Sequence, residues 1–342
     1  MKRLTAWMHR TLGLTLFLSL LALPQRPVNA DEPANSVAPA SSNKTDEQRS
    51  LNVLFIGNSY TARHNLADVV KAMAQAGQPG LTFNYSAVIY GGRTLADHWR
   101  LGTQNMVTAH SLTRETESAT IKNLELAVAA DSSDKYAKAA LKKHLAFQTE
   151  FEANRTNWDI VVLQSYRDDQ GGADSKYAQF VPKFAKLAKD QGARVVLYVT
   201  TPTTQNAAPL TDKPDRHGVT ELCHEIASLA KSVDAAVAPM PLVGLNCQTQ
   251  RPDLTLRYVN DAHLNKTMAY LTACTLYAAI FDASPVGLPI DSITDIRYFQ
   301  DDKNNKRLDR DGQPITKTFS DSDRVDLQRI AWESHQEFQR IR

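Results

Sequence analysis

The chain has 342 residues, of which 42% are hydrophobic and 22% are charged, so it can bury a full core as one large domain, or at most two. This composition excludes a disordered or fibrous protein. The 39 basic and 37 acidic residues nearly cancel, and no basic stripe in the sequence indicates nucleic acid or an anionic membrane surface as a partner.

Residues 1–30 have the pattern of a secretory signal peptide. Lys2 and Arg3 lie in a basic start, the apolar stretch "TLGLTLFLSLLAL" follows, and Val28–Ala30 is a small-residue cleavage site. The stretch is short for a membrane span, which predicts cleavage after Ala30 and a secreted or periplasmic protein, with an uncleaved anchor as the alternative. Cleavage would leave 35 of the 39 basic residues against 37 acidic ones, a net charge of −2.

After the signal peptide, a short polar segment precedes alternating strand and helix patterns. Residues 31–50 hold Pro, Ala, Ser and charged residues without apolar periodicity, which predicts a disordered linker. Continuous apolar runs then alternate with amphipathic segments. This alternation predicts a three-layer α/β/α sandwich around a five-stranded, mainly parallel sheet, because strands in parallel sheets are buried on both faces. The predicted strands are Leu51–Ile56, Leu81–Tyr90, Ile160–Gln164, Arg194–Thr200 and Ala235–Pro239.

Two segments do not fit the strand and helix alternation of the main domain, which is predicted to cover residues 51–295. Residues 101–157 are long for a crossover and rich in Lys, Glu and Ala, so we interpret them as a helical insertion that forms a lid or a wall of the cleft. Residues 296–342 predict a polar hairpin that turns at Asp311–Gly312, followed by an amphipathic helix that packs on the domain.

The cysteine and histidine spacing gives no support for a disulfide scaffold or a metal centre. Cys223, Cys247 and Cys274 allow one disulfide at most. The sequence contains neither CxxC nor HExxH, and the Asp-rich tail lacks the ligand spacing and closing Glu of an EF-hand. We therefore expect neither a metal nor a cofactor.

Ser59 lies where the first predicted strand ends and a helix begins, in the sequence Gly57-Asn58-Ser59. Functional groups gather at the carboxyl edge of a parallel sheet, and a helix N-terminus favours negative charge. Acyl transfer needs an oxygen nucleophile beside donors for an oxyanion, so a serine here suits that chemistry. The alternative is that Ser59 only caps the helix.

A serine nucleophile needs a base, and His263 is the histidine predicted to supply it. It lies in a polar loop between the last strand and a strongly apolar helix, from which it can reach the same sheet edge. His64 is a weaker candidate, because a residue five positions after Ser59 usually points elsewhere. Asp261 or Asn260, just before His263, could hold the imidazole in one tautomer.

Two other strand ends offer donors for an oxyanion. Gly91-Gly92 follows the second strand, where the absence of side chains lets a backbone N–H approach a ligand. Gln164 ends the third strand, and its amide could donate into the same cleft. The predicted oxyanion hole therefore consists of Ser59, Gly92 and Gln164, although a plain turn and a strand-end polar residue remain as alternatives.

These motifs, in this order, resemble those of the SGNH hydrolases, the GDSL-type esterase superfamily. The segments "LFIGNSYT", "GGRTLADHW", "WDIVVLQ" and "HLNKTMAYLTACTLYAAIFDASPVGL" are similar to a bacterial branch of unknown substrate, over roughly residues 51–290. The resemblance implies a flavodoxin-like SGNH hydrolase fold that needs no cofactor. It also implies Ser59 as the nucleophile, His263 as the base, and Ser59, Gly92 and Gln164 as oxyanion donors.

Two positions depart from the usual family pattern. Gln164 stands where the family usually has Asn, a change that keeps an amide donor. Asn260 stands three residues before His263, where the family has Asp. We favour Asp261 as the orienting residue, because a carboxylate stabilises an imidazolium better than an amide does, and keep Asn260 as the alternative.

The resemblance and the signal peptide together predict an exported serine esterase that acts on an acyl ester, in particular an acetyl ester, of a small molecule or glycan. A non-catalytic glycan-binding module on the same fold is the alternative, and hydrolysis of lipid or thioester substrates is a weaker third. Tyr60, Tyr90 and Tyr166 could pack against a sugar, whereas Trp99 is expected in the core or wall. Nucleic acid and, after signal cleavage, membranes are not expected as partners.

Overall fold

A computed structural model of the chain describes residues 49–201, 203–296 and 306–342. The predicted signal peptide (residues 1–30) and nearly all of the predicted linker (residues 31–50) lie outside the described residues. No helix in the described ranges is both long and apolar enough to cross a bilayer.

The central sheet has five strands in the order β2-β1-β3-β4-β5, and every neighbouring pair is parallel. This is the flavodoxin-like order, with its topological switch point between β1 and β3. The predicted α/β sandwich is confirmed, and no strand boundary differs from its prediction by more than two residues. The strands are β1 (Arg49–Gly57), β2 (Leu81–Ile89), β3 (Ile160–Gln164), β4 (Arg194–Val199) and β5 (Ala236–Pro239).

Helices cover both faces of the sheet, as the crossovers between parallel strands require. Two short 3₁₀ turns, Arg63–Asn65 and Asp168–Gln170, lie in loops at the carboxyl edge. The helices are α1 (Ser59–Ala62), α2 (Leu66–Gly77), α3 (Leu95–Arg100), α4 (Thr103–Val107), α5 (Arg114–Ala130), α6 (Lys135–Thr149), α7 (Lys176–Lys189), α8 (His217–Ser232), α9 (Met240–Gln250), α10 (Lys266–Phe281) and α11 (Asp321–Ile341).

The apolar core has two parts, one on each face of the sheet. Alternate residues of a strand point to opposite faces, so Ile56 of β1 belongs to the core on the side of α7 and α8, and Phe55 to the core on the side of α2 and α10. Helix α10 is buried from Lys266 to Ile280, which explains its nearly continuous apolar sequence. This burial anchors the loop that carries His263.

The segment of residues 101–157 contains α4, α5 and α6, which a buried polar cluster joins. Glu117 of α5 accepts hydrogen bonds from Asn105 of α4 and from His144 of α6, both at 2.8 Å. Gly102 packs so closely on this cluster that a Cβ atom there would lie 2.6 Å from His144 Nε2. Glu117 thus joins the three helices through buried polar contacts.

The C-terminal region begins with a small antiparallel pair, β6 (Ser292–Thr294) and β7 (Thr316–Thr318). Residues 306–318, which we call the C-terminal hairpin, reverse direction through a turn at Asp309–Gln313. Gly312 in this turn has a φ of +73°, a conformation that favours glycine. Helix α11 then packs its buried face mainly against α10 and α9.

The three cysteines, Cys223, Cys247 and Cys274, are buried as free thiols. Burial raises the pKa of the Cys223 and Cys247 thiols to about 12, so both are protonated and unreactive at neutral pH. In the described part of the chain, no group of three or more His, Cys, Asp or Glu side chains is arranged to hold a metal ion.

Candidate active site

Ser59 and His263 are 204 positions apart in the sequence and meet at the carboxyl edge of the sheet. Ser59 begins α1 directly after β1, and His263 lies in the loop before α10. The Ser59 Oγ atom lies 2.8 Å from His263 Nε2. In this geometry a neutral imidazole can accept the hydroxyl proton, as nucleophilic catalysis by serine requires.

Asp261 contacts the other nitrogen of the imidazole. Its Oδ1 atom accepts hydrogen bonds from His263 Nδ1 at 2.5 Å and from the His263 backbone N–H at 3.1 Å. Burial opposes ionisation of Asp261, but these hydrogen bonds and the charge of Arg63 outweigh it and hold the pKa of Asp261 below its usual range. Asn260 is exposed. Of the two predicted orienting residues, it is Asp261 whose side chain reaches His263.

We call residues 57–62 the serine turn, and Gln164 holds this turn from the neighbouring strand. The Gln164 Oε1 atom accepts hydrogen bonds from the Asn58 N–H at 2.8 Å and from the Thr61 hydroxyl at 3.1 Å. A Cβ atom at Gly57 would lie 2.3 Å from Thr61 Oγ1 and 2.6 Å from Gln164 Oε1. Glycine is therefore required where β1 ends.

The cap of α1 is Asn58 rather than Ser59. Its side-chain oxygen accepts a hydrogen bond from the Tyr60 N–H at 3.0 Å, and its amide donates to the Arg93 carbonyl at 3.3 Å. The second contact ties the serine turn to the loop that carries Gly92. Because Asn58 caps the helix, the Ser59 hydroxyl is left to bond His263.

The serine turn also contacts a buried histidine, His98 of α3. His98 Nε2 lies 3.0 Å from the Gly57 carbonyl oxygen and donates to it. Burial lowers the pKa of His98 to about 4, so this imidazole is neutral at pH 7. His98 was not selected in the sequence, since a histidine on a short helix gives no signal that it supports the end of a strand.

The three predicted oxyanion donors differ in their hydrogen bonding. Among the described residues, the backbone N–H groups of Ser59 and Gly92 have no protein acceptor. Gly92 has a φ of +66° and open space beside its Cα atom. Gln164 is fully buried, and its amide donates to the Ser165 carbonyl. Two backbone donors are thus available, while the contacts of Gln164 position the serine turn.

Arg63 connects Asp261 to a buried carboxylate that the sequence analysis did not select. Its Nη1 atom lies 3.0 Å from Asp261 Oδ2, and its guanidinium also forms an ion pair with Asp295. Tyr258 donates a hydrogen bond of 2.5 Å to Asp295. A second arginine, Arg310 of the C-terminal hairpin, lies 2.7 Å from Asp261 Oδ2. The carboxylate that orients His263 is therefore held by two cations.

His64 lies away from the serine hydroxyl, as its position in the sequence suggested. It is buried, with Nε2 donating to the Leu264 carbonyl at 2.9 Å and Nδ1 lying 3.8 Å from Asp295. Burial lowers the pKa of His64 to about 4. A neutral His64 thus supports the backbone next to His263.

The aromatic residues named in the sequence have different positions. The centroid of the Tyr60 ring lies 5.6 Å from that of the His263 imidazole, and the Tyr60 hydroxyl donates to the Ala262 carbonyl at 2.9 Å. Tyr90 is buried, whereas Tyr166 is exposed. Trp99 packs edge-on against the side chains of α7, the wall position expected for it. Tyr166 is therefore the solvent-exposed residue among Tyr60, Tyr90 and Tyr166.

A scan against protein-family models finds no match to the chain, and a search of curated proteins finds none either. Among solved structures, a candidate SGNH hydrolase from Slackia heliotrinireducens is 19% identical, with a TM-score of 0.43 over 68% of this chain and 100% of that one. A DUF4886 family protein from Bacteroides uniformis is 16% identical, with a TM-score of 0.47 over 83% and 94% of the two chains.

A candidate acylhydrolase from Bacteroides fragilis is 14% identical, with a TM-score of 0.33 over 69% of this chain and 89% of that one. These are distant similarities to SGNH-type and acyl-hydrolysing proteins. The function proposed below depends instead on the geometry of the site.

Proposed function

We propose that this protein is a serine hydrolase that cleaves an ester by acyl transfer to Ser59. The observation that carries the proposal is the continuous hydrogen-bonded series from Ser59 Oγ through the His263 ring to Asp261, with distances of 2.8 and 2.5 Å. A serine, an imidazole and an orienting carboxylate in this order are the parts that activate a hydroxyl nucleophile.

In the proposed first step, Ser59 Oγ attacks the ester carbonyl carbon while His263 Nε2 takes the hydroxyl proton. The N–H groups of Ser59 and Gly92 stabilise the oxyanion, and Asp261 stabilises the imidazolium. His263 then gives its proton to the leaving alcohol as the ester C–O bond breaks. Water, deprotonated by His263, attacks the acyl-serine, and the acid leaves as Ser59 regains its proton.

The proposed substrate is an acyl ester, in particular an acetyl ester, of a glycan or small molecule met after export. The signal-peptide pattern of residues 1–30 supports export. The exposed Tyr166, two positions after Gln164, offers a ring that could stack on a sugar. A glycan-binding module without catalysis has no need of the Ser59–His263 contact, which favours the enzyme.

Hydrolysis of 4-nitrophenyl acetate by the full chain and by a Ser59→Ala variant tests the proposal. We expect the wild-type chain to hydrolyse the ester and the activity of the variant to fall to background. The reason is that, among the described residues, Ser59 has the hydroxyl that is hydrogen-bonded to the His263 ring. Ser228→Ala, an exposed serine of α8, is the matched control and should keep full activity.

A fluorophosphonate probe provides a second measurement that does not depend on the natural substrate. It should label Ser59 in the wild-type chain, as located by peptide mapping. Equal ester hydrolysis by the wild-type chain and Ser59→Ala, with no labelling of Ser59, would contradict the proposal. This outcome would favour the alternative function, a non-catalytic glycan-binding module.

A further inference from the structure

The loop that carries His263 is held by consecutive residues of the C-terminal hairpin. We call residues 257–264 the histidine loop. Arg310 Nη1 lies 2.7 Å from Asp261 Oδ2, within the loop. The next residue, Asp311, accepts hydrogen bonds from the Val259 N–H at 3.1 and 3.0 Å. Two contacts from one turn therefore reach both halves of the histidine loop.

The turn that provides these contacts is itself fixed. Asp309 accepts hydrogen bonds from the N–H groups of Asp311 and Gln313, both at 2.9 Å. Its carboxylate also pairs with Lys266, the first residue of α10, and both side chains are almost fully buried. A buried ion pair is costly to break from one side, so the hairpin has a defined position relative to α10.

The two arginines on Asp261 are not equivalent. Arg63 is shared between Asp261 and the buried Asp295. Arg310 has its ion pair with Asp261 and, among the described residues, with no other carboxylate. Oδ1 of Asp261 accepts a hydrogen bond from His263, whereas Oδ2 accepts one from Arg63 and forms an ion pair with Arg310. Rotation of the carboxylate would therefore break an ion pair.

We propose that Arg310 is a positioning residue for the reaction at Ser59 and that the C-terminal hairpin is a structural part of the active site. This inference rests on the proposed function. Arg310 acts through Asp261: it fixes the plane of the carboxylate and so aims Oδ1 at the imidazole.

The test compares Arg310→Gln, Arg310→Lys and Arg340→Gln in the full chain on 4-nitrophenyl acetate. Arg310→Gln should lower kcat about tenfold with KM unchanged, because misplacing a catalytic group affects turnover more than binding. Arg310→Lys keeps the charge and should restore most of kcat. Arg340, an exposed arginine of α11, is the control for loss of a positive charge and should have no effect.

The comparison of kcat with KM, together with the rescue by Arg310→Lys, separates positioning from a general loss of structure. A variant that was only partly unfolded would lose kcat in proportion to the fall in its folded fraction, as measured by urea unfolding.

Amide hydrogen exchange of residues 257–264, measured by mass spectrometry, keeps this inference distinguishable from the proposed function. Arg310→Gln should exchange faster there than the wild-type chain. If the wild-type chain hydrolyses no ester but exchange still rises, the hairpin positions the loop and the proposed function fails. If the wild-type chain is active and Arg310→Gln matches it in kcat and exchange, the positioning role is overturned.

Discussion

The serine turn is held by neutral groups of β3 and α3, whereas the histidine loop is held by charged groups from distant parts of the chain. In the serine turn, Gln164 accepts a hydrogen bond from the Asn58 N–H, and the neutral His98 donates one to the Gly57 carbonyl. In the histidine loop, Asp261 is bonded by Arg63 and Arg310. Ser59 and His263 are therefore positioned by different kinds of force.

This difference predicts different sensitivities for the two sides of the site. Contacts among fully buried neutral groups change little with salt or with pH near neutrality. Ion pairs at a partly exposed loop weaken as salt rises. Burial opposes ionisation of Asp261 and Asp295, but paired charges and hydrogen bonds hold the pKa of each below its usual range. Their stabilising contribution is complete above about pH 4 and is lost as the pH falls further.

The largest expected effect comes from a substitution in the charged histidine loop, at Asp261. Asp261→Asn should lower kcat by about 10³- to 10⁴-fold, because an amide favours the wrong imidazole tautomer and cannot stabilise the imidazolium. Steady-state kinetics on 4-nitrophenyl acetate measure it. Asn260→Ala is the matched control, since Asn260 is exposed and adjacent, and should have little effect. The opposite ranking of the two variants would assign the orienting role to Asn260.

A smaller effect is expected from a substitution among the neutral groups that hold the serine turn, at Gln164. Gln164→Ala removes the acceptor for the Asn58 N–H and the Thr61 hydroxyl. Leaving a buried N–H unsatisfied should cost about 1–3 kcal/mol in urea unfolding. Turnover should fall about 100- to 1000-fold, the size expected when an oxyanion hole is damaged.

Comparing the two measurements on Gln164→Ala assigns the role of the residue. A loss of turnover together with a loss of stability supports positioning of the serine turn. A loss of turnover at unchanged stability would assign Gln164 to the oxyanion hole as a direct donor. Unchanged turnover would remove it from the site altogether.

The smallest predicted effect concerns Asp169, which lies beside the end of β4. Its contribution to the free energy of unfolding changes with pH in the opposite direction to that of Asp261. Asp169 accepts a hydrogen bond from the Thr200 N–H at 2.6 Å, and burial raises its pKa to about 7. The folded chain keeps this proton up to about pH 7, and the unfolded chain only up to about pH 3.9. The free energy of unfolding therefore falls as pH rises between these values.

Urea unfolding at pH 5 and pH 8 measures this pH dependence. The free energy of unfolding of the wild-type chain should fall by on the order of 2 kcal/mol from pH 5 to pH 8, and Asp169→Asn should abolish this fall. Asp174→Asn, an exposed residue of the same loop, should keep the wild-type fall. An identical pH dependence in all three chains would show that Asp169 is ionised in the folded state at pH 5.

The sheet and the meeting of Ser59 with His263 could be predicted because local patterns determine them. Continuous apolar runs identify strands buried on both faces, and residues after parallel strands share one edge of the sheet. The hydrogen bonds of Gln164 could not be predicted in this way. Its position at a strand end predicts a side chain near the cleft, but does not show that its Oε1 atom accepts from the Asn58 N–H and the Thr61 hydroxyl.

The arginines on Asp261 had no local pattern that could reveal them. Arg63 is close to Ser59 in sequence, but the chain turns directly after it at His64 and Asn65, which have φ values of +62° and +49°. Left-handed residues other than glycine are uncommon, and although His and Asn are enriched among them, residue type alone does not predict where they occur. Arg310 reaches Asp261 through tertiary packing of the C-terminal hairpin, which no spacing in the sequence encodes.

The insertion of residues 101–157 contacts the loop that carries Gly91 and Gly92 through Tyr136. Tyr136 of α6 donates a hydrogen bond of 2.8 Å to the Gly91 carbonyl, and Arg93 stacks on its ring at 4.4 Å. Because Glu117 ties the helices of the insertion together, a displacement of α6 would be transmitted to Gly91. Substitutions on the outer surface of the insertion that move α6 are therefore expected to shift the neighbouring Gly92 N–H, although they lie far from Ser59 in the sequence.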